Sequence, residues 1–155
     1  MNHYIIDGNN LIGRIKYLHQ LQKKDKQASR EQLVNLLNRY FREKKIKLTL
    51  HFDGHPNLSF AMSKGKIEYS KNDTADLLIR REIEFAANPR LIIMVTSDHS
   101  LMNFGKVCGC TIISSDEFYK SIEQSFGKND EEERIKQLSN VKNEFLKLFL
   151  NTDNK

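Results

Sequence analysis

Leu91-Ile92-Ile93-Met94-Val95 is the most apolar run in the chain, and it stops abruptly at Thr96-Ser97-Asp98. A strand this continuously apolar has no face to give to water, which is the condition of a strand inside a parallel sheet covered on both sides. The same ending occurs twice more. Tyr4-Ile5-Ile6 is a short β-forming run that stops at Asp7-Gly8, and Ile46 to Phe52 alternates and stops at Asp53-Gly54. Strands joined in parallel need crossover connections, usually helices, so the intervening segments are expected to be helical.

Their patterning agrees. Asn10-Leu11-Ile12 opens a helix that continues through Tyr17, Leu18 and Leu21, and Gln22 to Gln27 is a polar, lysine-rich connection. Ser29 with Gln32 three residues on has the form of a capping box. It precedes Leu33, Leu36, Leu37, Tyr40 and Phe41 at helical spacing. Lys66-Ile67-Glu68-Tyr69 reads as a short strand near an edge. Asp73-Thr74-Ala75-Asp76 begins a helix with Ala75, Leu78, Ile79, Ile83 and Ala86 on one side, and Pro89 closes that region. A helix from His99 to about Lys106, a strand Cys110 to Ile113 and a helix around Phe118 to Ser125 follow, the last capped by Ser114 to Glu117. Gly127 to Glu133 is polar and leads into a final amphipathic helix with Ile135, Leu138, Val141, Phe145, Leu148 and Phe149. Strands alternating with helices predict an α/β fold of three layers, with a mostly parallel central sheet and helices on both faces.

The length of 155 residues suits one compact domain with a real core. No apolar run approaches the roughly 20 residues of a membrane-spanning helix, and no secretory signal is visible at the N-terminus, so a cytoplasmic location is expected. Cys108 and Cys110 are too close in sequence for a disulfide, and two thiols without further ligands make no zinc site. They read as small buried residues around Gly109. The net charge of +5 and pI near 9.2 favour a polyanionic partner.

The three aspartates carry the chemistry. Ligands of open α/β sheets bind beyond the carboxyl ends of the strands, where Asp7, Asp53 and Asp98 fall. Asp76, in the first turn of a helix, can begin at the same rim. Carboxylates gathered in one cleft repel unless a cation neutralises them. Oxygen ligands without His or Cys suit a hard ion, Mg²⁺ or Mn²⁺, as one ion or two. Such an ion lowers the pKa of a bound water and orients a phosphodiester for in-line attack.

Ile5-Ile6-Asp7-Gly8-Asn9-Asn10-Leu11-Ile12-Gly13, Thr74-Ala75-Asp76 and Val95-Thr96-Ser97-Asp98, in this order, resemble the NYN domain of the YacP-like branch of the PIN-like nuclease superfamily. Ile113 to Phe118 is similar to the segment after the last strand of that family. The resemblance spans residues 3 to 120. It implies a sheet with the first strand near its centre, an acidic pocket at the strand ends, and metal-dependent endoribonuclease activity leaving 5′-phosphate and 3′-hydroxyl ends. By that likeness Asp7, Asp76 and Asp98 are the metal-coordinating acids, and Asn10 closes the Asp-Gly-x-Asn motif. Thr96 and Ser97 are supporting hydroxyls. The resemblance also brings RNA as partner, with messenger RNA at the ribosome as one setting, and no small-molecule cofactor. On this reading residues 1–126 form the nuclease domain, and 127–155 add a polar connection and a helix packed on it. Many PIN-like enzymes carry a further acid on the central helix, where this chain has Leu77. The fourth acid is therefore left open between Asp53, Asp116 and none. Lys64, Lys66, Lys71, Arg80 and Arg81 flank the loop and helix nearest the proposed site and are candidates for RNA phosphates.

Each residue also has a plain structural role to set against this. Asp76, third after an Asp73 N-cap, would favour the helix dipole and pair with Arg80. Asp98 can cap the helix that follows it, Asp53-Gly54 is a common turn pair, and Asp116 fits a cap with Ser114 and Ser115. An aspartate-nucleophile phosphatase would need a second Asp where Asn9 stands. A receiver domain would show an acidic pair near the first strand. A dinucleotide-binding loop would need a glycine that Gly-Asn-Asn-Leu-Ile-Gly lacks. The competing reading that survives is a non-catalytic RNA-binding or ribosome-associated module with the same fold.

Overall fold

The computed structural model describes residues 1–56 and 61–127, with residues 143, 146 and 147 beyond them. Met1–Lys120 form one compact unit and a second begins at Ser121; the features below belong to the first. The expected final helix lies almost wholly outside the described residues. No helix among those described is long and apolar enough to cross a membrane.

Five strands form one sheet: β1 (His3–Asp7), β2 (Lys47–Phe52), β3 (Lys66–Tyr69), β4 (Ile92–Val95) and β5 (Thr111–Ile113). Their order is β3-β2-β1-β4-β5 and every pairing is parallel. β1 is central, with β2 and β4 on its two sides, and β3 is an edge strand as its mixed composition implied. The helices are α1 (Gly8–Arg14), α2 (Lys16–Lys24), α3 (Lys26–Phe41), α4 (Ala75–Glu84) and α5 (His99–Val107). A further helix begins at residue 115.

The pleat of β1 divides the core. Ile5 turns to one face, where Ile79 and Ile83 of α4, Leu101 of α5, and Ile92 and Met94 of β4 form a closed apolar cluster. Tyr4 turns to the other, where its ring meets Phe41 of α3 at 4.9 Å and Phe118 at 6.1 Å. One strand thus feeds two cores, and the three-layer expectation holds because both faces of β1 are apolar. Cys110 is buried in the first cluster and both cysteines are free thiols.

Two local expectations fail. The first long helix is broken at Ile15, whose extended backbone ends α1 and sends a fully buried side chain into the core. The capping box at Ser29 does not form either. Asp25 caps α3 by accepting from the Ala28 amide at 3.0 Å, so the expected connection shrinks to Asp25 itself. Ser29 is buried and donates to the Leu18 carbonyl at 2.9 Å, tying α3 to α2. The helix starts a turn before Ser29, so Ser29 lies inside it rather than at its cap.

The entry from β1 to α1 is a tight joint. A Cβ on Gly8 would lie 2.6 Å from the His51 carbonyl oxygen and 2.7 Å from the Phe52 ring. Backbone cannot yield as a flexible side chain does, so Gly8→Ala should cost about 1–3 kcal/mol. Urea unfolding should show a lower midpoint with an unchanged slope. An unmoved midpoint would mean that β2 and α1 are not locked together here.

Candidate active site

Parallel strands place all their carboxyl ends on one rim, so Asp7, Asp53 and Asp98 follow neighbouring strands in the order β2-β1-β4. Asp7 is the most enclosed of these acids. It ends β1 and caps α1: Oδ1 accepts from the Asn10 amide at 3.4 Å, and Oδ2 accepts from the Thr96 hydroxyl at 3.2 Å. The same hydroxyl oxygen accepts from the Asp98 amide at 3.2 Å, so Thr96 links the two strand-end aspartates.

Burial drives the Asp7 carboxyl up to about 6. The hydrogen bonds from Asn10 and Thr96 pull it down, and the charge of Asp53 pushes it further up. An acid in this position is poorly compensated by its own protein.

Two adjacent amides hold the rim from opposite sides. The Asn9 side-chain oxygen accepts from the Asp53 backbone amide at 2.8 Å. The Asn10 side-chain oxygen accepts from the Ser97 amide at 2.8 Å and from the Ser115 hydroxyl at 2.7 Å. The Ser97 hydroxyl in turn accepts from the Ser115 amide at 3.0 Å. Asn9 thereby fastens the end of β2, and Asn10 fastens the ends of β4 and β5, to the start of α1.

Asp53 is held at three points. Besides Asn9, its Oδ1 accepts from the Ala75 amide at the start of α4 at 2.8 Å, and its carbonyl accepts from Arg30. Arg30 is 2 % exposed; it also donates to the His55 carbonyl at 3.1 Å and lies over the Phe52 and Tyr69 rings. Gly54 supplies the left-handed backbone (φ 85°) that the turn after Asp53 requires. The turn reading of Asp53-Gly54 is therefore right for the glycine, while the aspartate side chain is spent on the rim.

This arrangement has relatives. Residues 4–155 match the family described as the YacP-like NYN domain. The chain belongs to that family. The family is part of the PIN-like nuclease superfamily, as the sequence motifs implied. The fold is also that of two crystal structures of Rae1 (YacP) from Bacillus subtilis. A mutant form is 21% identical with a TM-score of 0.70, over 89% of this chain and 83% of that one. A second structure is 22% identical with a TM-score of 0.68, over 92% and 84%. No curated protein matches the chain.

Not every acid of this YacP-like domain is spent alike. Asp98 caps α5, accepting from the Leu101 amide at 2.8 Å, so its capping role is real. Asp76 pairs with Arg80 at 2.7 Å, and Arg80 reaches on to the Ser100 hydroxyl at 2.9 Å and covers the Phe104 ring. The N-cap of α4 is Thr74 rather than Asp73, which makes Asp76 the second helical residue. Asp116 lies 3.6 Å from Arg14, both half exposed. Among the described residues no three His, Cys, Asp or Glu side chains lie close enough to hold a metal ion by themselves.

The basic residues divide. Lys71 follows β3 and its amide donates to the Gly54 carbonyl, on the acidic rim; Arg80 reaches that side through Asp76. Lys66 starts β3, level with Thr49, and therefore stands with Lys64 at the other end of the sheet. Arg81 is 4.0 Å from Asp73. Asn9, Ser115 and Arg30 escaped the sequence reading. The Asn-Asn doublet was a visible signal for Asn9. Nothing local marked Arg30, which looks like any helical arginine until the fold buries it.

The raised Asp7 value has a sign. Its folded-state value lies above the ordinary 3.8, so the protonated form is the one the fold prefers. The fold bears no penalty below about pH 4 and the whole of it above about pH 6, at most about 3 kcal/mol. Asp7→Asn keeps the cap without the charge. In chelator at pH 8 it should raise Tm by several degrees, a gain that fades as the pH falls to 4. A variant less stable than wild type at pH 8 would contradict the uncompensated-charge account.

Proposed function

We propose that the protein is a divalent-cation-dependent endoribonuclease that hydrolyses RNA phosphodiesters at the rim formed by Asp7, Asp53, Asp76 and Asp98. The observation that carries this reading is the enclosed Asp7 carboxyl, whose burial disfavours its charge and to which the charge of Asp53 adds a smaller push. A cost of this kind is recovered when a cation binds. Mg²⁺ is commonly held by one or two carboxylates with water filling the remaining positions, so Asp7 and Asp53 suffice as direct holders. Asp98 and Asp76 are the further acids of the rim. Mn²⁺ suits the same oxygen donors. When bound, the ion would supply charge stabilisation and an activated water.

The chain's own residues define the rest. Thr96 and the Asn10 amide each engage one Asp7 oxygen, which fixes the carboxylate plane. Asn10 acts through Ser97 and Ser115 and is a positioning residue. Lys71 is the cation best placed for a substrate phosphate, since Arg80 is already committed to Asp76 and Ser100. RNA is the substrate class, with messenger RNA as its natural form, and the products carry 5′-phosphate and 3′-hydroxyl ends.

One observation favours the binding-module alternative: Asp76 and Asp98 are each engaged by partners within the protein. A single assay separates the two. Labelled single-stranded RNA is incubated with Mn²⁺, Mg²⁺ or EDTA beside Asp7→Asn. Cleavage should need the metal, and Asp7→Asn should lower kcat by roughly a hundredfold or more. Asn10→Ala should lower it by roughly 10- to 100-fold. RNA bound but uncut in both metals, or cutting by Asp7→Asn at the wild-type rate, would end the nuclease assignment.

A further inference from the structure

The pole of the sheet opposite the carboxylates carries a feature that the proposed chemistry does not use. Two cavities of about 380 and 630 Å³ adjoin there and share His3 and Lys47 in their walls. Together they run across the amino-terminal ends of four strands: past Lys64 and Lys66 at β3, Lys47 at β2, His3 at β1, and Leu91 and Ile92 at β4. The groove changes character along its length. At the β3 end Lys47, Lys64 and Lys66 line it, with Lys66 3.2 Å from Glu68 and the Lys64 amine donating to the Lys44 carbonyl. At the β4 end it is apolar and open, with Phe85 84% exposed, Met1 67% and Leu91 40%. A large aromatic ring left this bare at the end of α4 contributes nothing to the core.

Its one acidic wall residue, Glu82, has a side chain only 20% exposed and turned towards two histidines. Glu82 lies 3.7 Å from His3 and 3.5 Å from the buried His51. The groove thus offers positive charge followed by a stacking surface.

We propose that this groove is a second binding site for single-stranded RNA, with phosphates on Lys47, Lys64 and Lys66 and a base against Phe85. The alternation of backbone charge and flat base faces in a single strand matches a lysine cluster beside an exposed ring. Four strands at about 4.8 Å spacing give the groove room for a few nucleotides. The proposal rests on the RNA-cleaving reading for its purpose: a long substrate held at one pole would be kept near the acidic rim at the other.

The test uses the full-length protein and a fluorescent oligouridine long enough to cover both poles, with anisotropy read in EDTA so that cutting is silent. Phe85→Ala should weaken binding roughly tenfold. Lys47→Ala should lower the slope of log affinity against log salt by about 1. A purely structural lysine would leave that slope unchanged. With Mn²⁺, both variants should raise KM for the long RNA while kcat/KM for a tetranucleotide stays at the wild-type value. Wild-type affinity and salt slope in both variants would overturn the proposal and leave a protein partner for the groove. Equal losses on the tetranucleotide would overturn it too, by showing that the changes reach the rim. If the wild type cuts no RNA, the nuclease reading falls, yet the EDTA titration still decides whether the groove binds RNA.

Discussion

The two hydrogen bonds accepted by the Asn10 side-chain oxygen hold the rim of this protein together. A parallel sheet delivers its strand ends to one edge but does nothing to fix the loops that follow. Asn10 accepts from the Ser97 amide and the Ser115 hydroxyl, joining the loop after β4 and the helix after β5 to the start of α1. Asn9 does the same for the loop after β2 through the Asp53 amide. Neighbouring residues on a helix point in different directions, so two adjacent amides can face opposite sides of the same rim. Their chain position, directly after the acid they surround, makes the rim a consequence of one short segment.

The electrostatic cost follows from that construction. Asp7 is enclosed because Gly8 lets α1 close against β2, and its charge feels Asp53 because Asn9 draws the β2 loop inward. Arg30 supports Asp53 from beneath through backbone carbonyls, its guanidinium lying over two rings. A buried guanidinium is expensive. Here it secures the loop through backbone carbonyls, and attraction to Asp53 offsets part of the cost of its burial.

Much of this was legible in the sequence, and the boundary between what was and was not has a physical cause. Parallel strands with both faces buried leave an unmistakable mark in Leu91 to Val95, and the central position of β1 is the one that the family resemblance implied. The family was visible in Asp7, Asp76 and Asp98 with their neighbours, and it is the family the chain belongs to. Helix starts were less legible. Ser29 and Gln32 have the composition of a capping box, but Asp25 caps the helix a turn earlier and Ser29, buried inside it, gives its hydroxyl to the Leu18 carbonyl. Lys64 and Lys66 are near the acids in sequence yet begin a strand whose far end is the rim, and only strand direction reveals that.

Direction also explains why the molecule has two unlike poles. Every strand runs the same way, so the amino-terminal edge gathers strand starts as surely as the other edge gathers strand ends. Aspartates follow strands because a carboxylate there can cap the next helix, as Asp7 and Asp98 do. Lysines stand at the starts of β2 and β3, where exposed backbone meets water and no helix dipole asks for an acid. Separation of charge between the poles therefore arises from helix capping and strand polarity before any selection for substrate. A chain with this topology begins with an acidic end suited to a cation and a basic end suited to a polyanion. The exposed Phe85 is what capping and polarity leave unexplained, and an unexplained aromatic beside lysines is the residue on which a nucleic-acid function for that pole depends.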